Sequence, residues 1–172
     1  MSSIRIEITD IVKAGTDCIV NAANSGLQGG SGVCGAIFRA AGWDEMQRAC
    51  DAIGRCATGS AAITPAFRID AKYVVHAVGP IWRGGGSGEP EQLYGCYRAS
   101  LELAGEHGCR SIAFPLISSG VYGYPKREAW EIALRACRDF LKNAPEHEMD
   151  ILFAVLDEAV LRMGRQELEK QS

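Results

Sequence analysis

Two asparagines and a dense run of glycines stand together in residues 20–42, whose sequence is VNAANSGLQGGSGVCGAIFRAAG. The stretch begins as the end of a buried strand, passes through Asn21 and Asn24, and opens into a loop with five glycines before a small-residue helix predicted over residues 36–41. Glycine lets backbone N–H groups approach an anion closely, and the unpaired N–H groups and dipole at a helix start favour negative charge there. No lysine follows the glycines, so the loop is not a P-loop. These features predict a phosphate cradle; the alternative is a flexible surface loop.

A second glycine loop follows another predicted strand, in the stretch SIAFPLISSGVYGYP of residues 111–125. Ser118 and Ser119 offer hydroxyl donors, and the two glycines that follow give the backbone freedom. Ligands of α/β folds bind outside the carboxyl ends of the strands, so two loops that directly follow strands are expected on one edge of the sheet. There they would hold a diphosphate from both sides, largely through main-chain N–H groups. Tyr122 is predicted to pack on a ribose; the alternative is a loop anchor at the edge of the core.

The segments around these loops alternate between strand and helix patterns. Alternating apolar and charged residues in IRIEIT predict a strand with one wet face, and short apolar runs such as CIVNAA predict buried strands. This alternation of strands and helices predicts an α/β protein built as a three-layer α/β/α sandwich. The predicted strands are residues 4–9, 18–22, 60–67, 73–78, 111–114 and 149–156, and the predicted helices are residues 36–41, 43–53, 91–106, 126–141 and 157–170.

Four stretches of this sequence together resemble the macrodomain family, which binds ADP-ribose. They are NAAN with its glycine run and GAIFRAAG, then TGSAAITPAF, KYVVHAVGP and SIAFPLISSGVYGYP, and the similarity extends from residue 4 to the last predicted helix. The resemblance is to the bacterial branch linked to O-acetyl-ADP-ribose deacetylation and to removal of ADP-ribose from proteins. It implies one domain over residues 1–172, a central mixed, mostly parallel sheet, and ADP-ribose or an ADP-ribosylated protein or metabolite as the partner.

The resemblance also implies roles for single residues. The pair Asp10 and Ile11 matches the family's adenine site, although an Asp just past a strand is more often a helix or turn cap. Leu156 stands where relatives often have an aromatic residue stacked on adenine. Asn24 matches a residue that contacts the distal ribose and is predicted to orient the substrate, and Asn21 is predicted to brace the loop backbone; the alternative is that both form Asx turns. The complete predicted ligand-binding set is Asp10, Ile11, Asn24, Gly30, Ser31, Gly32, Val33, Cys34, Ser118, Ser119, Gly120, Val121, Tyr122 and Leu156.

Cys34 is where the sequence departs from the family's hydrolytic pattern. Relatives of the deacetylase type usually have an Asp at this position and a His four residues later, whereas this chain has Cys34 and Phe38, and Ser31 interrupts the glycine run. Cys34 is then a packed residue in a protein that only binds, or hydrolysis uses a water that the ligand's own phosphate activates and Asn24 orients, or Cys34 is a nucleophile. The nucleophile has the least support, because no His lies nearby in the sequence to activate the thiol.

The predicted function is therefore binding of ADP-ribose with hydrolysis of ADP-ribosyl esters, either O-acetyl-ADP-ribose or mono-ADP-ribosylated protein, by an oriented water. Asn24 and Cys34 are the candidate catalytic residues. The alternative is a non-catalytic ADP-ribose-binding module, because Cys34 replaces the usual Asp. His76 lies in an apolar strand and is predicted to be a satisfied core histidine, and His107 and His147 are predicted to be surface residues.

Composition limits the other possibilities. The chain has 172 residues, of which 47% are apolar and 23% are charged, and its net charge of -3 comes without a basic stripe, which argues against nucleic acid and acidic membranes as partners. Neither a signal-peptide h-region nor an apolar run of about 20 residues is present. The seven cysteines are scattered without a CxxC pair, and no His/Asp/Glu cluster has metal-ligand spacing, so we expect no metal and no cofactor. An odd number of thiols inside apolar stretches fits a reducing compartment, so we expect a cytoplasmic protein. We also expect a monomer.

Overall fold

The structure is a computed structural model that describes residues 2–146 and 148–172, so the prediction for His147 lies outside the described residues. No helix in these two ranges is both long enough and apolar enough to cross a membrane. A 3₁₀ turn, Ile11–Lys13, follows the first strand. The strands are β1 (Ser3–Ile8), β2 (Cys18–Ala23), β3 (Ala61–Pro65), β4 (Tyr73–Val78), β5 (Ser111–Phe114) and β6 (Asp150–Val155), and the helices are α1 (Gly32–Ala41), α2 (Trp43–Ile53), α3 (Glu89–Glu106), α4 (Lys126–Asn143) and α5 (Glu158–Lys170).

The strands form one sheet in the order β1-β6-β5-β2-β4-β3. The first five strands in this order are parallel to one another, with Cys18 of β2 opposite Tyr73 of β4. The edge strand β3 runs antiparallel to β4 and places Ala62 opposite His76. A short connection is enough to join antiparallel neighbours, whereas parallel neighbours need a crossover that is usually a helix. The prediction of a mixed, mostly parallel sheet is confirmed.

Helices cover both faces of the sheet and give the predicted three layers. On one face α3, α4 and α5 pack over a core in which Tyr97, Trp130 and Phe153 are fully buried. On the other face α1 and α2 pack over a second core that contains Phe38 and Met46. Strand β2 faces both cores with successive residues, which is why its sequence is continuously apolar instead of alternating.

The strand order sets three loops in a row along the carboxyl edge of the sheet. We call residues 24–31, after β2, the first loop; residues 115–125, after β5, the second loop; and residues 79–88, after β4, the third loop. Asp10 follows β1 and Leu156 follows β6 at the same edge. Across the sheet the order is therefore Asp10, Leu156, second loop, first loop and third loop.

Helix α1 begins at Gly32, one turn earlier than the predicted residue 36. The close approach that permits this start is at Gly35, where a Cβ atom would overlap the carbonyl oxygen of Gly30. Only a residue without a side chain lets the helix pass so near its own preceding loop. Val33 and Cys34 consequently lie in the first turn of the helix and not in the loop.

Candidate functional site

The first loop ends in a series of backbone N–H groups without hydrogen-bond partners. Gln47 of α2 holds the loop, since its side chain accepts a hydrogen bond from Gly29 N (2.9 Å) and donates one to Leu27 O (3.1 Å). The N–H of Gly35 is the first of α1 to reach a carbonyl, that of Ser31 (3.2 Å). The N–H groups of residues 30–34 thus have no acceptor among the described residues, and the Ser31 side chain makes no capping bond. An uncapped helix start of this kind, with its dipole, suits an anion.

The second loop presents a further set of free N–H groups. It is closed by a hydrogen bond from Tyr124 N to Ser118 O (2.9 Å). Inside this closure, the N–H groups of residues 120–122 have no partner in the described part of the chain. Val121 is 97% exposed, so the tip of the loop is open to a ligand. Successive free N–H groups in a turn form a concavity that binds anions.

The two serines of the second loop use their hydroxyl groups differently. Ser119 Oγ donates to Leu116 O (2.7 Å), so this hydroxyl already has an acceptor in its own loop, and its role in binding stays a prediction. Ser118 Oγ is buried without a partner among the residues that the structure describes, and Ser118 has a left-handed backbone with φ of 67°. Such a conformation costs a non-glycine residue energy and tends to occur at functional sites. Ser118 therefore keeps an unused donor, and its role in binding stays a prediction.

Asn24 closes the first loop with its side-chain amide. Its Oδ1 accepts from Gln28 N (3.0 Å) and its Nδ2 donates to Gln28 O (2.9 Å). Both bonds reach four residues along the chain, whereas an Asx turn reaches two, so the described bonds of Asn24 are not the Asx turn that was the alternative. A side-chain amide has two donors and two acceptor positions, so one hydrogen of Nδ2 and one lone pair of Oδ1 stay unused. Asn24 can consequently brace the loop and still offer polar groups to a ligand.

The prediction that Asn21 braces the loop backbone is wrong, because Asn21 contacts two side chains instead. Its Nδ2 lies 3.1 Å from His76 Nδ1 and 3.7 Å from Cys34 Sγ. On the other side of the ring, His76 Nε2 lies 3.0 Å from Thr64 Oγ1, which in turn donates to Pro65 O. Since Asn21 Nδ2 can only donate, we assign an accepting Nδ1 and a protonated Nε2 to His76. The prediction that His76 is a satisfied core histidine is confirmed.

Cys34 is buried at the end of this network. Its Sγ lies within 3.7 Å of Gln28 O, to which the thiol donates, and accepts from Asn21. His76 is near in space although it is distant in sequence, but its accepting nitrogen is taken by Asn21. The described residues thus offer no base to the thiol, and the arrangement does not resemble an activated cysteine.

The buried His76 predicts a loss of stability in mild acid. Burial lowers the pKa of His76 from 6.5 to about 4. Between these values the unfolded chain binds a proton that the folded chain does not, so the free energy of unfolding should fall by about 3 kcal/mol as the pH falls from 6.5 towards 4. Urea unfolding at a series of pH values measures this slope. The variant His76→Gln keeps every carboxylate but lacks the imidazole, so its free energy of unfolding should fall less over this pH range. Equal slopes in the wild type and the variant would contradict the assignment of this pH dependence to His76.

Glu89 organises the third loop, although the sequence pattern does not single it out. It is the first residue of α3, which begins two residues before the predicted start, and its side chain is buried. The carboxylate accepts hydrogen bonds from the backbone N–H groups of Arg83 (2.8 Å), Gly85 (2.9 Å) and Ser87 (2.6 Å). Burial alone would raise the pKa of Glu89, but these bonds lower it to about 2. The sequence feature that could have indicated this role is the position of Glu89 directly after RGGGSG, a run whose backbone N–H groups need an acceptor.

A cavity of about 260 Å³ opens where the three loops meet. Asn24 lines it from the first loop, Tyr122 from the second and Arg83 from the third. Trp82 N donates to Tyr122 O (2.8 Å) and so ties the second and third loops together. The structure thus brings together Asn24 and Tyr122, which the sequence analysis could only assign to a common edge, and adds Arg83, which it did not single out.

Asp10, Ile11 and Leu156 lie at the opposite end of that edge. Asp10 Oδ1 accepts from Val12 N (3.2 Å) and caps the 3₁₀ turn, which is the alternative that the sequence offered. Ile11 is buried, and Leu156 is 78% exposed, which leaves an apolar surface beside the Asp10 carboxylate. Whether these residues bind adenine stays a prediction. In residues 2–146 and 148–172, no three His, Cys, Asp or Glu side chains cluster as metal ligands.

Comparison with known proteins places this edge in context. The Macro domain family pattern matches residues 20–133, which include all three loops. An O-acetyl-ADP-ribose deacetylase of Salmonella gallinarum is 46% identical over 174 residues, which cover 99% of this chain and 96% of the relative. The solved Oceanobacillus iheyensis macrodomain with ADP has a TM-score of 0.91 and 38% identity and covers 96% of this chain and 90% of that chain. The Trypanosoma brucei macrodomain in complex with ADP-ribose has a TM-score of 0.85 and 36% identity, covering 95% of this chain and 68% of that chain.

Proposed function

Because this chain belongs to the Macro domain family, we propose that its residues 1–172, as one macrodomain, bind ADP-ribose along the carboxyl edge of the sheet and hydrolyse ADP-ribosyl esters. The observation that carries the proposal is the pair of free N–H arrays, residues 30–34 at the junction of the first loop with α1 and residues 120–122 in the second loop, since both loops also line one cavity. Main-chain donors fixed before binding can hold a diphosphate without a lysine or arginine clamp. Relatives and solved neighbours whose names contain ADP-ribose or ADP support the choice of ligand.

In this binding mode the order of the strands in the sheet determines which part of the ligand lies where along the edge. The adenine lies near Asp10, Ile11 and Leu156, after β1 and β6. The diphosphate lies between the N–H arrays of the second and first loops, after β5 and β2. The distal ribose then reaches Asn24 and Tyr122 at the mouth of the cavity.

Hydrolysis uses a water that Asn24 orients with the unused positions of its amide. The water oxygen bonds to the ester carbonyl carbon, the bond from that carbon to the ribose oxygen breaks, and the ribose leaves as an alcohol. A phosphate oxygen of the ligand accepts the water proton, which then passes to the leaving ribose oxygen. The products are ADP-ribose and a free carboxylic acid, and no cofactor is needed.

The environment of Cys34 argues against a thiol mechanism. The thiol is buried between Asn21 and Gln28, and His76, the nearest candidate base, already accepts a bond from Asn21. A thiol nucleophile needs a base that removes its proton, and it needs access to the substrate. Cys34 therefore contributes its backbone N–H to the cradle and its side chain to packing.

A second candidate function is ADP-ribose binding without chemistry, and the charges at the cavity favour it. The acidic residue that lines the cavity is Glu89, whose carboxylate is held by three backbone N–H groups and whose pKa of about 2 makes it a poor general base. The position at which hydrolytic relatives usually have an Asp is Cys34. Hydrolysis therefore depends on the ligand's own phosphate, whereas binding does not.

Two measurements separate these functions. Calorimetric titration with ADP-ribose should show saturable binding, and absence of heat and of competition would contradict both functions. Release of ADP-ribose from O-acetyl-ADP-ribose and from a mono-ADP-ribosylated protein should then be followed for the wild type, Cys34→Ala and Cys34→Asp. Turnover that survives Cys34→Ala supports the oriented water. Turnover that is lost in Cys34→Ala and kept in the wild type would instead support Cys34 as a nucleophile. Binding without wild-type turnover, together with turnover in Cys34→Asp, would identify a binding module.

A further inference from the structure

The cavity lies beyond the end of the nucleotide in the proposed binding mode. Asp10 marks the adenine end at β1, the two N–H arrays follow β5 and β2, and the cavity opens between the ends of β2 and β4. Whatever is attached to the distal ribose must therefore enter it. The volume of about 260 Å³ is below the roughly 300–1,000 Å³ of sites for drug-sized ligands. This size fits an acyl group or an amino-acid side chain better than a second nucleotide.

Arg83 supplies the free charge in this cavity. The charged residues that line it are Arg83 and Glu89. Glu89 is 1% exposed, and three backbone N–H groups occupy its carboxylate. Arg83 is exposed, and its guanidinium has no hydrogen bond or ion pair with any residue in the two described ranges. An incoming acceptor thus meets the exposed Arg83, whereas the Glu89 carboxylate is buried behind the backbone N–H groups that it accepts from.

The backbone that carries Arg83 is fixed before a ligand binds. The Arg83 N–H donates to Glu89 (2.8 Å), and the ring of the preceding Trp82 packs at a tilt of 57° against the ring of Tyr124, with ring centroids 4.6 Å apart. Only the Arg83 side chain has to be ordered on binding, which limits the entropy cost. A guanidinium offers parallel N–H groups whose geometry matches a carboxylate.

We propose that Arg83 selects acceptors that carry a second carboxylate beside the ADP-ribosyl ester, so that an ester within an acidic peptide segment is preferred over the same ester within a neutral segment. The proposal rests on the proposed function, because it names the acceptor of the same site. The ester itself uses one carboxyl group, and the charge that Arg83 meets comes from a neighbouring acidic residue. Ser25, Thr58 and Gln92 line the same cavity and offer further polar groups to the peptide.

Two synthetic peptides test this selection, each with one ADP-ribosylated glutamate, flanked by aspartates in one and by asparagines in the other. We expect wild-type kcat/KM to be about tenfold higher for the acidic peptide, the factor that corresponds to 1.4 kcal/mol. High salt should reduce this preference, because exposed charges are screened. Arg83→Gln should remove it by lowering kcat/KM for the acidic peptide alone. Arg68→Gln is the matched control, since Arg68 is an exposed arginine near Glu45 and outside the cavity, and it should keep the wild-type preference.

Competition of the same peptides against bound ADP-ribose gives a second readout that does not need turnover. A preference that Arg83→Gln removes and Arg68→Gln keeps, in either readout, supports the selection. Equal values for the two peptides in the wild type, or an unchanged preference in Arg83→Gln, overturn it while ADP-ribose binding persists. If neither ADP-ribose nor either peptide binds, the proposed function itself has failed.

Discussion

Asn24→Ala is expected to lower kcat for O-acetyl-ADP-ribose by about 10²–10³-fold, the usual effect of removing one oriented polar group from an active site. In the structure Asn24 bonds both backbone groups of Gln28 and also lines the cavity. Its loss removes a loop brace and the group that is proposed to orient the water. Measuring kcat at saturating substrate, beside the affinity for ADP-ribose, separates slower chemistry from weaker binding. Wild-type kcat in this variant would contradict the proposed mechanism.

The variant Asn24→Asp tests whether the amide donor of this side chain is needed. An aspartate keeps an oxygen that can accept from Gln28 N–H, but it loses the donor that bonds Gln28 O and that is proposed to orient the water. If the donor is needed, kcat should stay low in Asn24→Asp. If the bond from Gln28 N–H is all that matters, Asn24→Asp should recover most of the wild-type kcat, and the water would need another orienting group.

Most of the fold could be predicted from the sequence because it follows from local patterns. The apolar run of β2 and the alternation in β1 each identify a strand without knowledge of its neighbours. The common edge of the two glycine loops follows from the rule that ligands of α/β sheets bind at the carboxyl ends of strands. The strand order β1-β6-β5-β2-β4-β3 does not follow from local patterns, and it is this order that sets the direction of the proposed ligand.

The parts of the site that the sequence analysis missed depend on contacts between distant residues. Asn21 meets His76 because the parallel register of β2 and β4 places them opposite each other, and register is a property of two strands together. The buried Glu89 has its role only once the third loop folds back over the start of α3. Ser118 shows the same limit, since its left-handed backbone and unpaired hydroxyl have no signature in the sequence.

Gly35→Ala is expected to weaken ADP-ribose binding by about 10- to 100-fold, although alanine is the better helix former. Replacing a glycine inside a helix by alanine gains roughly 0.5–1 kcal/mol. A Cβ atom at position 35, however, would overlap the carbonyl oxygen of Gly30, a backbone atom that cannot rotate away. Overpacking typically costs about 1–3 kcal/mol, so the steric effect is the larger one. Either α1 or residues 30–32 must shift, and the shift misplaces the N–H groups proposed to hold the diphosphate.

The matched control for this prediction is Gly26→Ala in the first loop, which leads into α1. A Cβ atom there would lie 3.7 Å from its nearest neighbours, which is an ordinary contact, so affinity should stay within about twofold of the wild type. Calorimetric titration with ADP-ribose compares the variants, and thermal unfolding confirms that both fold. Wild-type affinity in Gly35→Ala would mean that residues 30–34 do not hold the diphosphate, and the second loop would have to bind it alone. Weak binding in both variants would mean that any added methyl group disturbs the loop, and the argument from the Gly30 carbonyl would fail.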